Sequence, residues 1–108
     1  MQPNEDLSVV ELARRRAEGA APTVLDVREA DELATARIPD VVHIPMDDIP
    51  ARTNELPKDA ELVVMCHGGG RSARVARYLR TQGFANVRNL DGGIDAWSAQ
   101  VDPSVPRY

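Results

Sequence analysis

The chain of 108 residues has a single cysteine, Cys66. One thiol cannot form a disulfide within the chain, and it excludes every structural zinc site that draws two or more cysteines from one polypeptide. Histidine is almost as scarce. His43 and His67 are the only two, no recognisable spacing gives either one acidic partners, and no metal is expected. No glycine-rich fingerprint opens a helix in the context a nucleotide needs, so neither a dinucleotide nor ATP is implied, and no cofactor is expected. Long apolar runs are missing too. No stretch approaches the roughly 20 residues that cross a bilayer, and no membrane contact is expected. Positive charge is not in excess: 13 basic against 17 acidic side chains leave a formal charge of −4, which disfavours broad affinity for nucleic acid. The one dense basic run, residues 14–16, is flanked by Glu11 and Glu18 and reads as a solvated helix face. Residues 1–6 lack the basic segment and apolar core of an export signal, so the expected location is the cytoplasm.

What is present suffices for one compact core and is too little for two. Residues 1–108 are therefore read as one domain, with 101–108 an irregular tail that contains Pro103 and Pro106. Ser8, three positions before Glu11, offers a capping box for a helix reaching Glu18, with Gly19 as its stop. Residues 23–27 read as a strand that turns polar at Asp26 and Arg28. Glu29, Asp31 and Glu32 favour a helical turn through Ala34, and Pro39 ends it. A second strand spans 41–44, followed by a polar surface connection at 47–59 with at most a short helix. Residues 62–65 have no polar alternation, as in a strand buried on both faces. A helix at 72–82, a strand at 87–90, a tight turn at 91–93 and a short helix at 94–98 complete the pattern, with Trp97 in the core. Strands and helices alternate at spacings that need crossovers rather than hairpins. An α/β fold follows, a mostly parallel twisted sheet with helices on both faces. The strand ends at Asp26, Cys66 and Leu90 then share one rim, where open α/β sheets bind ligands.

The chemistry is expected in the sequence Cys66-His67-Gly68-Gly69-Gly70-Arg71-Ser72. Three glycines can turn backbone N–H groups toward Cys66, and the helix that follows adds its own free N–H groups and the positive end of its dipole. Such a cradle stabilises a thiolate or the oxyanion of a substrate. Arg71 is placed to bring a guanidinium fork to the pocket mouth and hold an anionic donor. Ser72 is read as capping the helix, either alone or while also offering its hydroxyl to the thiolate. His67 is read as a surface contact for a donor or partner rather than a general base. Asp26 and Arg28 alternate on their strand and start toward the same face, as a structural network under the loops; Asp91 is suited to tying the Gly92-Gly93 turn. His43 is read as a satisfied, partly buried histidine, while Met46, Met65 and Phe84 need no functional explanation.

These pieces, in this order, resemble the rhodanese-like family of single-domain sulfurtransferases. The likeness runs from Leu-Ser-Val-Val-Glu-Leu at 7–12, through Val-Leu-Asp-Val-Arg-Glu at 24–29 and the loop at 66–72, to Asn-Leu-Asp-Gly-Gly-Ile-Asp-Ala-Trp at 89–97. It implies a three-layer rhodanese-like fold and a Cys66 that carries sulfane sulfur as a persulfide. It also implies double displacement between a donor such as thiosulfate and an acceptor such as cyanide or a thiol. Ala-Arg-Ile-Pro-Asp at 36–40 stands where the family often has Gly-His-Ile-Pro-Gly, so Ala36, Arg37 and Asp40 are departures that bear on local turn geometry. The ending at 102–108 resembles rhodanese modules attached to ubiquitin-activating-like enzymes of cofactor biosynthesis, which hints at a protein sulfur acceptor. Two other readings stay open. One is a cysteine-dependent phosphatase or arsenate-handling enzyme, although its familiar loop is longer than the four residues between Cys66 and Arg71. The other is a non-catalytic or redox-sensing binding module.

Overall fold

Four consecutive apolar residues, Leu62–Met65, cannot hide on one face of a strand, and the fold buries all of them. The computed structural model describes residues 6–108; the opening segment read for its lack of an export signal lies, through Glu5, outside them. In chain order the elements are β1 (Asp6–Leu7), α1 (Val9–Ala17), β2 (Thr23–Asp26), α2 (Ala30–Thr35), β3 (Val41–His43), α3 (Ile49–Arg52), β4 (Leu62–Met65), α4 (Gly70–Thr81), β5 (Val87–Leu90) and α5 (Gly93–Gln100). The sheet order is β1-β5-β4-β2-β3, and every pairing is parallel. Asp26 pairs in register with Met65, and Leu7 with Leu90, so the carboxyl ends of the strands form one rim, as the alternation of elements implies. Among the described residues no helix is long and apolar enough to cross a membrane.

Because side chains alternate across a strand, β4 feeds two cores. Leu62, Val64 and Cys66 join Val75, Ala76 and Leu79 of α4 and Ile49 of α3. Val63 and Met65 join Leu12 of α1 and Ile94 and Trp97 of α5 on the opposite face. The helices therefore cover both faces, and α4 and α5 both begin at the rim beside Cys66.

Several boundaries and roles differ from the sequence reading. β1, only two residues long, carries too little periodicity to be seen as a strand. α4 starts at Gly70, with Gly69 as its N-cap at φ 108°, so Ser72 lies inside the first turn and does not cap the helix. The connection at 47–59 contains α3 and two 3-10 turns, and it buries Ile49 and Leu56. Ser8 does accept from the N–H of Glu11, at 3.1 Å, but the Glu11 carboxylate turns to Arg14 and Arg15. The basic run is not simply solvated. Arg15 also pairs with Glu61 at 2.6 Å, while Arg16 donates to the Pro39 carbonyl at 2.9 Å and lies 5.7 Å from the Trp97 ring centroid. Asp40, in place of the family's glycine, adopts φ 60°; the short polar side chain of aspartate tolerates this left-handed conformation better than most, so the turn survives the departure. The tail has no regular element, yet Val105 is buried with Trp97, and the Ser98 hydroxyl donates to the Val105 carbonyl.

Candidate active site at the Cys66 loop

The loop after β4 is shaped from behind by α5. The N–H groups of Ile94 and Asp95 donate to the carbonyls of Cys66 and His67, each at 3.0 Å. Gly93 permits this approach. It sits at φ 60°, and a Cβ there would lie 2.4 Å from the Cys66 oxygen and 2.5 Å from the His67 oxygen. With two carbonyls held against α5, the chain turns at Gly69, whose N–H reaches the Cys66 Sγ at 3.0 Å. The Ser72 hydroxyl lies 3.3 Å from the same sulfur. Of the three loop glycines, only Gly69 has a positive φ; a Cβ on Gly68 or Gly70 would meet open space.

Cys66 is 1% exposed. Burial pushes its thiol pKa up, but hydrogen bonds from the Ser72 hydroxyl and from the N–H groups of Ser72, Gly69 and Arg71 outweigh that, leaving the thiol below its ordinary value. The cradle is therefore built from the loop and the first turn of α4 together. Asn89 of β5 completes it: its side-chain oxygen accepts from Ser72, and its amide nitrogen donates to the Gly69 carbonyl at 3.3 Å. Nothing local marks Asn89 in the sequence, since it is brought there by the β4–β5 pairing.

Arg71 is not free at the mouth. Its two terminal nitrogens donate to the Glu32 carboxylate at 2.7 and 2.9 Å, which raises the guanidinium pKa further and lowers that of Glu32 to about 2. Glu32 also accepts from the Tyr108 hydroxyl at 2.8 Å. That hydroxyl in turn accepts from Arg28 at 2.8 Å, and the Tyr108 ring stacks on His67 at 4.2 Å between centroids. Arg28 and Asp26 form a buried pair at 2.8 Å, with a further Arg28 bond to the Ala36 carbonyl at 2.9 Å. The His67 Nε2 is 4.0 Å from the Asp95 carboxylate. His43 Nε2 lies 2.7 Å from the Arg28 carbonyl. Cys66, His67, Gly69, Arg71 and Ser72 thus come together, with Asp26 and Arg28 beneath them. Asp91 is exposed, and the turn it opens is held through its backbone N–H on the Leu7 carbonyl, at 2.9 Å, instead of through its carboxylate. Glu32, Asn89 and Tyr108 are the additions that sequence reasoning missed. Among the described residues, no group of three or more His, Cys, Asp or Glu is placed to hold a metal.

The model of the rhodanese-like domain matches residues 8–100. The chain belongs to that family. A sulfurtransferase of Allochromatium vinosum is 40% identical over 94 residues, covering 87% of this chain and 88% of that one. A putative sulfur carrier protein of Bacillus subtilis, YrkF, is 42% identical over 73% of this chain and 43% of its own length. The adenylyltransferase and sulfurtransferase uba4 of Ogataea parapolymorpha is 29% identical, with this chain spanning 27% of it. Among solved structures, a rhodanese-like domain protein of Staphylococcus aureus superposes with a TM-score of 0.83 at 33% identity, covering 96% of this chain and 98% of that one. The rhodanese-like assignment extends over the loop, the rim and both layers of helices.

Proposed function

We propose that this rhodanese-like domain transfers sulfane sulfur through a persulfide on Cys66. The supporting observation is the convergence of the Gly69 N–H and the Ser72 hydroxyl on one buried sulfur, where they stabilise negative charge on Sγ or on a terminal sulfur attached to it. In the first half-reaction the Cys66 thiolate attacks the outer sulfur of thiosulfate. The new S–S bond forms as the bond to the sulfonate sulfur breaks, and sulfite leaves with its electron pair. In the second, an acceptor thiolate attacks the terminal sulfur, the Cys66 S–S bond breaks, and the thiolate is regenerated; cyanide would leave as thiocyanate. No internal thiol can resolve the adduct, because the chain has no other cysteine, so the acceptor must be another molecule.

The relatives named as a sulfur carrier and as an adenylyltransferase and sulfurtransferase support a protein thiol or sulfur carrier as the acceptor. A lone reactive thiol suits a reducing compartment, and a cytoplasmic location is part of the proposal. Intact-mass measurement after incubation with thiosulfate should show one added sulfur. The adduct should be removed by a reducing thiol and be absent in Cys66→Ser, whose thermal melt should stay near that of the parent. If thiosulfate, cysteine persulfide and a loaded protein donor all fail to give it, the persulfide reading is wrong.

A further inference from the structure

The cations identified around the loop each carry a carboxylate. Arg71 is bound through both terminal nitrogens to Glu32, Arg107 binds Asp95 at 3.0 and 3.0 Å, and Arg28 is paired with Asp26 in the core. At Cys66 a dianion meets the Gly69 N–H and the Ser72 hydroxyl, and the guanidinium of the loop itself, Arg71, is already bound to a carboxylate. The Glu32 carboxylate is fixed from three sides. Besides Arg71, it accepts from the N–H of Glu29 at 3.0 Å, which anchors it to the start of α2, and from the Tyr108 hydroxyl at 2.8 Å. Its side chain is 17% exposed, against 27% for Arg71, so water screens the pair less than it would an open surface pair. Tyr108 is held in turn by Arg28 and by its stack on His67.

We propose that Glu32, positioned by Tyr108, is a specificity-determining residue: by neutralising Arg71 it denies the site an attractive cation for dianionic donors such as thiosulfate and favours persulfide donors of lower charge. The inference rests on the sulfurtransferase reading and adds the donor class. A purely structural Glu32 would lower or preserve the use of all donors alike when replaced. A specificity-determining Glu32 changes their ratio, because only the charged donor responds to the freed guanidinium.

The test compares kcat/KM for thiosulfate and for cysteine persulfide in the parent protein and in Glu32→Gln, which keeps the side chain's shape and a carbonyl acceptor. The ratio of thiosulfate to persulfide should rise about tenfold, the low end of what a local field does for a charged substrate, and the gain should fade as ionic strength increases. Tyr108→Phe, which loses the hydroxyl but keeps the ring on His67, should move the ratio in the same direction by less. Salt dependence in the parent provides a check that needs no variant: thiosulfate turnover should be flat or rise with salt, whereas a steep fall would reveal an available cation and overturn the inference. An unchanged ratio in Glu32→Gln, with both donors still forming the Cys66 adduct, overturns this inference and leaves the sulfurtransferase reading standing. Absence of any adduct in the parent with thiosulfate, cysteine persulfide and a loaded protein donor alike removes both.

Discussion

Ser72 has one hydroxyl proton and three acceptors within reach: Cys66 Sγ, the Gly69 carbonyl and the Asn89 side-chain oxygen. Ionising Cys66 makes the sulfur the strongest of the three, so the proton turns to it and the thiolate is favoured over the thiol. A hydrogen bond to a charged group contributes about 1.5–3 kcal/mol, more than one between neutral partners, and it favours the ionised form. Ser72→Ala should therefore shift the midpoint of Cys66 alkylation upward, whereas the parent midpoint should lie below the ordinary value of about 8.5. Iodoacetamide rates across pH measure both, and coincident midpoints would remove Ser72 from the cradle. At this scale, the residues close in sequence to Cys66 were legible. The loop is contiguous, and its glycines and serine beside a cysteine read as a cradle for a thiolate without any knowledge of the fold, although Arg71 turns to Glu32 instead of standing free at the mouth. Glu32 and Tyr108 were not, because their contacts with the loop and with each other cross 39 and 76 residues, and neither lies in a local pattern that distinguishes it from an ordinary acidic helix turn or a tail.

The start of α5 acts as a template for the Cys66 loop, and Gly93 is the point at which the two backbones meet. A methyl at Gly93 needs the left-handed conformation, at about 1–2 kcal/mol, and meets backbone oxygens instead of yielding side chains, where overpacking costs about 1–3 kcal/mol. Gly93→Ala should thus lose about 2–5 kcal/mol of stability, read by chemical denaturation, and slow Cys66 alkylation as the loop shifts; Gly68→Ala, with open space at its Cβ, should do neither. Equal stabilities for the two variants would contradict the template role. The sequence identified the Gly92-Gly93 turn and the helix after it, since two glycines after a strand punctuate any pattern. It could not show that this helix donates to the carbonyls of Cys66 and His67, because parallel pairing of β4 and β5 alone sets those two turns side by side. The start of α4 was misjudged for a related reason. Serine is a good cap residue, but the sharp turn under Cys66 needs a positive φ, and glycine at 69 takes the N-cap position for that reason.

The whole molecule closes on its tail. Residues 101–108 contain Pro103 and Pro106 and have no regular element, but irregular backbone is not loose backbone: Val105 is buried with Trp97 in one core, and Arg107 and Tyr108 then return the chain to the site. The two parts of the tail therefore carry separable effects. Ending the chain after Val101 exposes the surface that Val105 covers, about 1.5–3 kcal/mol, and leaves the buried Ser98 hydroxyl without its carbonyl, a further cost of about 1–3 kcal/mol. Ending it after Pro106 keeps both and removes an exposed, solvent-screened ion pair between Arg107 and Asp95, along with the ring over His67 and one partner of Arg28. With each kcal/mol moving the midpoint of a domain this size by about 4–8 °C, the longer truncation should lower Tm by more than about 10 °C and the shorter one by less. The shorter truncation should also speed Cys66 alkylation at fixed pH, since Tyr108 no longer covers His67 at the loop. Thermal melts and alkylation rates on the two proteins separate the roles: equal melting points would mean that Val105 does not hold the core, and an unchanged alkylation rate after loss of Arg107 and Tyr108 would mean that the tail leaves access to the sulfur untouched.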